Sequence, residues 1–397
     1  MTKKICVLNP YIPTLGGGEK HMGLLCAFME EYYGDVEIDI LVHNFNNIDI
    51  YADDYVTIDK LNKRFDISLS KTKIRKIDVI SSNKLIDKIR NKFKVEKETK
   101  KYDLFVNFMF LSKHIGRAKK NLFVCMFPAH RFENEVNGFF KKILAKIADR
   151  LYIKSYDVFA PISEYTNRWF HTFWGNDNNS KIIFPPVISE QEIDNLYVEK
   201  DKKNIIISVG RFFVSAHCKR QLEMVKIFVS NYEVFKGYEY HLVGAVANTK
   251  EDLEYLDQVK QLAKQVDNIF IHENCPYNEL VDLYKSAKIF WHAAGYTVNE
   301  NVEPEKVEHF GISTVEAMCY GAVPVVINKG GLKETVEHTV SGYVWDTEEE
   351  CVKYTCELIN NDDKRKIMAE KASERSKKFS IEQYFRANKE LFDEYKL

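Results

Sequence analysis

The sequence is poor in residues that interrupt regular structure, with 17 glycines and 9 prolines among 397 residues. Collagen-like and low-complexity classes are thereby excluded, and most of the chain is expected in helices and strands joined by short connections. No stretch approaches the ~18 uncharged apolar residues that a membrane-spanning helix needs. The opening, Met1-Thr-Lys-Lys-Ile-Cys-Val-Leu-Asn9, is too short for a leader peptide and reads as a first strand. The 8 cysteines form no Cys-x-x-Cys pair, and several sit inside apolar runs. Reduced thiols of a cytoplasmic protein fit this usage better than a disulfide framework or a zinc site. Neither Gly-x-Gly-x-x-Gly nor Gly-x-x-x-x-Gly-Lys-[Ser/Thr] occurs, which speaks against a dinucleotide oxidoreductase and a P-loop nucleotidase. There is also no Asp-x-Asp, so no carboxylate pair is available in that form to hold a divalent metal against a diphosphate; no metal and no cofactor are expected.

What is present is an ordinary globular composition, 45% hydrophobic and 29% charged, at a length that suggests two or three domains. The net charge of −1 hides an asymmetry: residues 60–154 carry 25 Lys and Arg against 9 Asp and Glu, a net +16. Apolar strand-like runs alternate with helical patterns through both halves, the signature of parallel α/β layers. The first set comprises Ile5–Leu8, Glu37–Val42, Leu104–Val106, Leu122–Phe127 and Val158–Ile162. The Lys-rich stretch 60–101 is only loosely periodic and is left partly unassigned. Phe184-Pro-Pro186 closes the set, and the polar stretch 189–203 reads as a linker. A second set follows at Ile205–Val209, Tyr240–Val243, Ile269–Ile271, Ile289–Trp291 and Val323–Ile327, and the end of the chain from about 347 is purely helical in pattern. The expected architecture is two Rossmann-like α/β domains facing across a cleft, 1–188 and 204–378, with 379–397 a helix returning to the first. Ligand would bind at the carboxyl ends of the strands.

Three motifs carry candidate chemistry. Thr14-Leu-Gly-Gly-Gly-Glu-Lys20 lies between the first strand and a helix. It is either a tight turn or a loop whose N–H groups approach an anion at a helix start. Val209-Gly-Arg-Phe-Phe213 is followed by Lys219. Either residue alone would read as a surface base; a guanidinium fork after a strand and an ammonium near the next helix suit a diphosphate together. Glu308-His-Phe-Gly-Ile-Ser-Thr-Val-Glu316 places two carboxylates around a glycine turn and a helix start. Free N–H groups at such a start hold phosphate. Ser313-Thr-Val-Glu316 also has the form of a capping box, which would leave Glu316 a purely local role; Glu308 lies outside it.

With Gly295-Tyr, Pro304-Glu-Lys and Gly330-Gly-Leu-Lys-Glu334 in order behind them, these motifs resemble the retaining glycosyltransferases of family 4, which have the GT-B fold. The likeness is to bacterial surface-polysaccharide and lipid-linked-oligosaccharide members, dense over about 205–345 and thinner at 5–22 and 121–131. It implies that Arg211 and Lys219 grip the donor diphosphate, that Glu316 binds the ribose and that Glu308 holds hydroxyls of the sugar. Phe310, Gly311 and Ile312 would line the sugar and phosphate pocket, joined by Ser313 and Thr314, with Gly17 and Gly18 closing over the phosphates from the other domain. Where family members often carry a cleft histidine this chain has Met126, and His130 is the substitute at hand. The implied reaction transfers a hexosyl unit from a GDP- or UDP-linked donor to a saccharide or lipid-linked acceptor, with retention. A non-catalytic nucleotide-sugar binder and a nucleotide-sugar epimerase are the competing readings. Nucleic acid is not an expected partner, because the basic stretch lacks a recognised motif and interleaved stacking aromatics.

Residues 139–152 place Phe139, Phe140, Ile143, Leu144, Ile147, Leu151 and Tyr152 on one helical face, with Lys141, Lys142, Lys146 and Arg150 off it. The pattern fits a core-packed helix of the first domain or a basic amphipathic helix lying on an anionic bilayer, peripheral on its cytoplasmic face.

Overall fold

The structure, a computed structural model, describes residues 2–9, 16–45, 57–197, 199, 202–214, 218–246 and 249–397. Two compact units are formed, the first from residues 1–186 with 384–397 and the second from residues 187–383.

The first unit holds β1 (Lys3–Leu8), β2 (Val36–Phe45), β3 (Thr72–Val79), β4 (Leu104–Asn107), β5 (Lys120–Cys125) and β6 (Val158–Pro161), in the order β3-β2-β1-β4-β5-β6. The second holds β7 (Lys203–Val209), β8 (Glu239–Gly244), β9 (Ile269–Glu273), β10 (Ala287–His292), β11 (Val323–Ile327) and β12 (Tyr343–Trp345), in the order β12-β11-β10-β7-β8-β9. All pairings between these strands are parallel. Each sheet therefore runs outward from its first strand in one direction and then reverses, so each has a switch point, between β1 and β4 and between β7 and β10. Helices cover both faces of such sheets, which is why the central strands read as unbroken apolar runs such as Ile5-Cys-Val-Leu8, all buried.

The stretch 60–101, left partly unassigned, holds the helices Ile58–Phe65 and Leu85–Thr99 besides β3, and two further elements escaped the sequence pattern, β12 and a helix in the expected linker. β3 carries Lys73, Arg75 and Lys76 and is an edge strand, where charge is tolerated and guards against pairing with another chain. Only Thr72, Ile77 and Val79 of it are buried, too few for a clear alternation. β12 is an edge strand of three residues. The stretch 189–203, expected to be a linker, contains the helix Glu190–Leu196, whose polar composition hid a capping box. Glu192 N–H donates to Ser189 Oγ at 3.2 Å, and Ser189 N–H donates back to Glu192 Oε2 at 3.2 Å. Residues 198, 200 and 201 of that stretch lie outside the described residues.

Tyr384–Leu397 clusters with the first unit. Phe392 lies edge-on to Phe28 at 5.1 Å, Tyr32 hydroxyl donates to Asp393 at 2.6 Å, and Tyr33 hydroxyl donates to the Leu397 carbonyl at 2.7 Å. The helix Phe139–Lys154 turns Ala145, Asp149 and Tyr152 inward. Of the apolar face expected over 139–152 only Tyr152 is buried, so packing against the core does not account for the rest. No described helix is long and apolar enough to cross a membrane.

Ser189→Ala should lower the unfolding free energy by about 0.5–2 kcal/mol, because it removes an N-cap acceptor. Urea titration followed by circular dichroism measures this; an unchanged midpoint would show that the helix Glu190–Leu196 does not depend on its cap.

Candidate active site

In the second unit the candidate residues gather at the switch point between β7 and β10. β7 ends at Val209, and Gly210 N–H continues the pairing by donating to the Val243 carbonyl at 2.9 Å. A Cβ on Gly210 would lie 2.5 Å from Lys219 Cγ, so glycine is what lets the lysine stem cross the strand end. The buried Gln221, opening the helix Gln221–Ser230, donates its amide to the carbonyls of Gly210 and Arg211, each at 3.0 Å. Strand end and helix start are thus tied together, and Lys219 is carried between them.

Lys219 forms an ion pair with Glu308, in which its ammonium donates to Oε2. His292, at the end of β10 and only 2% exposed, brings Nε2 to 3.4 Å from the same oxygen. The Ala294 N–H donates to His292 Nδ1 at 3.3 Å, so in the neutral ring the proton sits on Nε2 and faces the carboxylate. Burial pushes the imidazole below its usual pKa; Glu308 opposes that shift and Lys219 adds to it. Burial alone would raise the Glu308 pKa, but Lys219 and His292 outweigh it and hold the carboxyl well below its usual range. The arrangement is a partly buried anion kept ionised beside a cation. His292 was missed in the sequence because a lone histidine closing an apolar strand carries no spacing signal.

The loop that presents Glu308 is held from beneath. Gly331 N–H donates to the Glu308 carbonyl at 2.8 Å. A Cβ on Gly330 would meet that carbonyl oxygen at 2.0 Å, and one on Gly331 would meet the His309 carbonyl at 2.1 Å. Only glycine fits at either place. Gly330 N–H and Lys333 both donate to Glu300, each at 2.9 Å, which holds the Glu300 carboxyl below its usual pKa against the effect of burial. The Gly330-Gly-Leu-Lys-Glu334 motif is therefore the buttress of the Glu308 loop.

Beyond the loop, Gly311 has φ +95° and caps the helix Ile312–Cys319. This corrects the capping-box alternative: Gly311 is the cap, Ser313 is the second helical residue, and Glu316 stands a turn further along. Glu316 instead accepts from Tyr284 hydroxyl at 3.2 Å. Phe310 is buried edge-on against Phe379 at 5.2 Å, so its backbone rather than its ring is what it can offer a ligand. Thr314 is buried at the helix start, and its N–H donates to the Gly311 carbonyl at 3.0 Å. Ile312 and Ser313 remain partly accessible at the helix start. Arg211 is exposed with its guanidinium over the Phe213 ring at 4.9 Å, rather than joined to Lys219 and Glu308.

In the first unit, Gly17 and Gly18 open the helix Gly17–Tyr33 just beyond β1, at that sheet's own switch point. Gly16 N–H is taken by Glu19 at 2.8 Å, while a Cβ on Gly18 would meet nothing within 4 Å. Thr14 and Leu15 of that motif lie outside the described residues. His130 is exposed and lies over Phe173 with ring centroids 4.2 Å apart.

Residues 189–375 match the family model described as glycosyl transferases group 1. The match lies within the second unit. The chain is 24% identical over 274 residues to the Dictyostelium discoideum GDP-Man:Man(3)GlcNAc(2)-PP-Dol alpha-1,2-mannosyltransferase, covering 64% of this chain and 52% of that one. It is 26% identical over 251 residues to the alpha-1,3/1,6-mannosyltransferase ALG2 of Rhizomucor pusillus, covering 56% and 54%. The chain thus spans about half the length of these curated relatives. Among solved structures it resembles a glycosyltransferase from Rickettsia africae, with TM-score 0.71 and 17% identity over 99% of this chain and 98% of that one. It also resembles HepE of Anabaena in complex with UDP and glucose, with TM-score 0.68 and 16% identity over 99% and 100%. The fold is that of the GT-B glycosyltransferases.

Lys219→Met should cost about 1.5–3 kcal/mol of stability at neutral pH, by leaving the partly buried Glu308 without its main counter-charge. In the wild type, the depressed pKa of Glu308 contributes stability that is present above the unfolded value near 4.5 and is lost as pH falls through the folded value. The gap between wild type and variant should therefore be full at pH 7 and close as pH drops below about 4.5. Urea midpoints across pH measure it; a gap independent of pH would mean that the pair does not hold Glu308 ionised.

Proposed function

We propose that the protein is a retaining, metal-independent hexosyltransferase that takes a hexosyl unit from a nucleoside diphosphate sugar, GDP- or UDP-linked, and passes it to a saccharide or lipid-linked saccharide acceptor. The observation that carries this reading is the convergence of Lys219, Glu308 and His292 at the switch point of the second unit, where α/β sheets of this kind bind nucleotides. The names of the curated relatives make GDP-mannose and a lipid-linked oligosaccharide the first pair to assay.

The chemistry follows from charge. The bond between the anomeric carbon and the diphosphate oxygen breaks, and its electron pair stays on the diphosphate. The acceptor hydroxyl forms the new bond on the same face, and its proton passes to the departing phosphate oxygen. Lys219 has three N–H donors and spends one on Glu308, so it can hold a phosphate oxygen without surrendering the carboxylate. Its interaction strengthens as negative charge develops, which is transition-state rather than ground-state binding. Arg211 supplies a second cation by leaving its exposed position over Phe213. Glu308, ionised by its neighbours, accepts hydroxyls of the sugar. Glu316, oriented by Tyr284, receives the ribose hydroxyls.

Arg211→Ala and Lys219→Ala should each lower kcat by roughly 10²–10³. Glu316→Gln should weaken nucleoside diphosphate binding while leaving folding stability nearly unchanged, since it caps no helix. Product formation and calorimetric affinity are the readouts. Wild-type kcat in either base variant, or unaltered nucleotide affinity in Glu316→Gln, would remove that residue from the site.

Activity should persist in excess EDTA, since the chain lacks Asp-x-Asp and no described His, Cys, Asp or Glu residues cluster in threes suited to a metal ion. Loss of turnover that magnesium or manganese restores would overturn metal independence; an inverted anomeric configuration in the product would overturn retention.

A further inference from the structure

Two helices of the first unit present apolar side chains to solvent. On Phe139–Lys154 the exposed residues include Phe139 at 75%, Phe140 at 80% and Leu144 at 68%, continued by Ile147 and Leu151. On Leu85–Thr99 they are Ile86 at 64%, Phe93 at 59% and Ile89. The second helix lies in the Lys-rich region whose loose periodicity hid it. Val95 of one helix and Tyr152 of the other enter the same core cluster, together with Cys6, Phe105, Phe123 and Phe159 from the strands. Both helices therefore cover the same face of the sheet, and both turn their opposite sides outward. Each follows a strand, β3 or β5, so each N-terminal turn lies toward the carboxyl edge of that sheet. Ile86, Phe139 and Phe140 are on those turns.

The charges around these apolar residues have one dominant sign. Phe139–Lys154 carries five bases and one acid, Asp149, which is spent accepting the N–H groups of Phe132 at 2.8 Å and Glu133 at 3.2 Å. A groove of about 870 Å³ runs beside this helix, with Leu151 and Trp174 in its wall and Lys146, Arg150 and Lys154 along it. Its other acid, Glu133, is paired with Arg131 and Lys146. Leu85–Thr99 adds Lys88, Arg90, Lys94 and Lys97, all exposed, against Asp87, Glu96 and Glu98. Glu96 is buried and engaged by Lys92 and Arg117, and Glu98 by Arg75 and Lys101.

We infer that these two helices form one docking surface for an anionic lipid bilayer. Apolar side chains ringed by lysine and arginine match acyl chains under negative headgroups. A second copy of the same face would set like charges against each other, and nucleic acid would leave the phenylalanines and leucines against water. The inference stands on the first unit alone and does not rest on the glycosyl-transfer reading, though a lipid-linked acceptor would be delivered at such a surface.

The test is co-sedimentation of the full chain with vesicles of phosphatidylglycerol in phosphatidylcholine, against phosphatidylcholine alone, at low and high salt. Wild type should bind only the anionic vesicles and be released by salt. Phe140→Asp with Leu144→Asp, and separately Ile86→Asp with Phe93→Asp, should each lower partitioning by more than about tenfold. These positions are exposed, so thermal melting and nucleoside diphosphate affinity should be unchanged. No binding to anionic vesicles, or binding indifferent to salt, overturns the inference. Full binding by the Ile86/Phe93 variant overturns the two-helix surface. A wild-type dimer in solution that Leu144→Asp converts to monomer assigns the face to self-association instead. A protein that turns over a sugar nucleotide yet ignores vesicles refutes this inference and leaves the catalytic reading intact.

Discussion

The site depends on keeping one partly buried carboxylate charged. Removing Glu308 from water favours its neutral form, and a neutral carboxyl there would be a poor acceptor for sugar hydroxyls. Lys219 and the Nε2–H of His292 reverse that preference from two sides, each arriving at the end of a different central strand. The sheet order makes this possible. Because the strands run outward both ways from the β7–β10 pair, the connections after these two strands diverge, and the long connection after β10 brings Glu308 back into the space between them.

A carboxylate positioned by a long loop is useful only if the loop is rigid. Here rigidity comes from backbone against backbone. The carbonyls of Glu308 and His309 press on Gly330 and Gly331 so closely that any side chain would displace them. Glu300 then fixes the glycine pair through Gly330 N–H and Lys333. The chain of dependence runs from Glu300 to Gly330 and Gly331, then to the Glu308 backbone, and last to the Glu308 carboxylate. Residues that touch no substrate thus set the geometry of the one proposed to do so.

How much of this the sequence disclosed follows from what each feature owes to local pattern. Central strands were legible because burial on both faces leaves continuous apolar runs. The edge strands β3 and β12 were not, since they are half solvated or very short, whereas β6 and β9 at the opposite edges kept apolar runs. Lys219 and Glu308 were legible as chemistry through their motifs, but their pairing across 89 positions was not. His292 had no sequence signature, because its role arises only when β10 and the Glu308 loop are brought together. The proposed cap at Ser313 failed because Gly311, with its positive φ, starts the helix two residues sooner. The same kind of box does form at Ser189, inside a stretch polar enough to read as a linker.

The two units share one strand order but use their surfaces differently. In the second, charge is gathered inward and neutralised in pairs at the switch point. In the first, bases are spread over the outer sides of two helices that also leave large apolar side chains in water. Exposing such side chains beside a basic field is unfavourable for solubility and adds nothing to the core, which Val95 and Tyr152 already complete from the opposite sides of the same helices. A fold that needed these helices only as cover for the sheet would be served by polar residues at 86, 93, 140 and 144. Their apolar character is therefore a property of what the surface meets rather than of what the unit needs to fold.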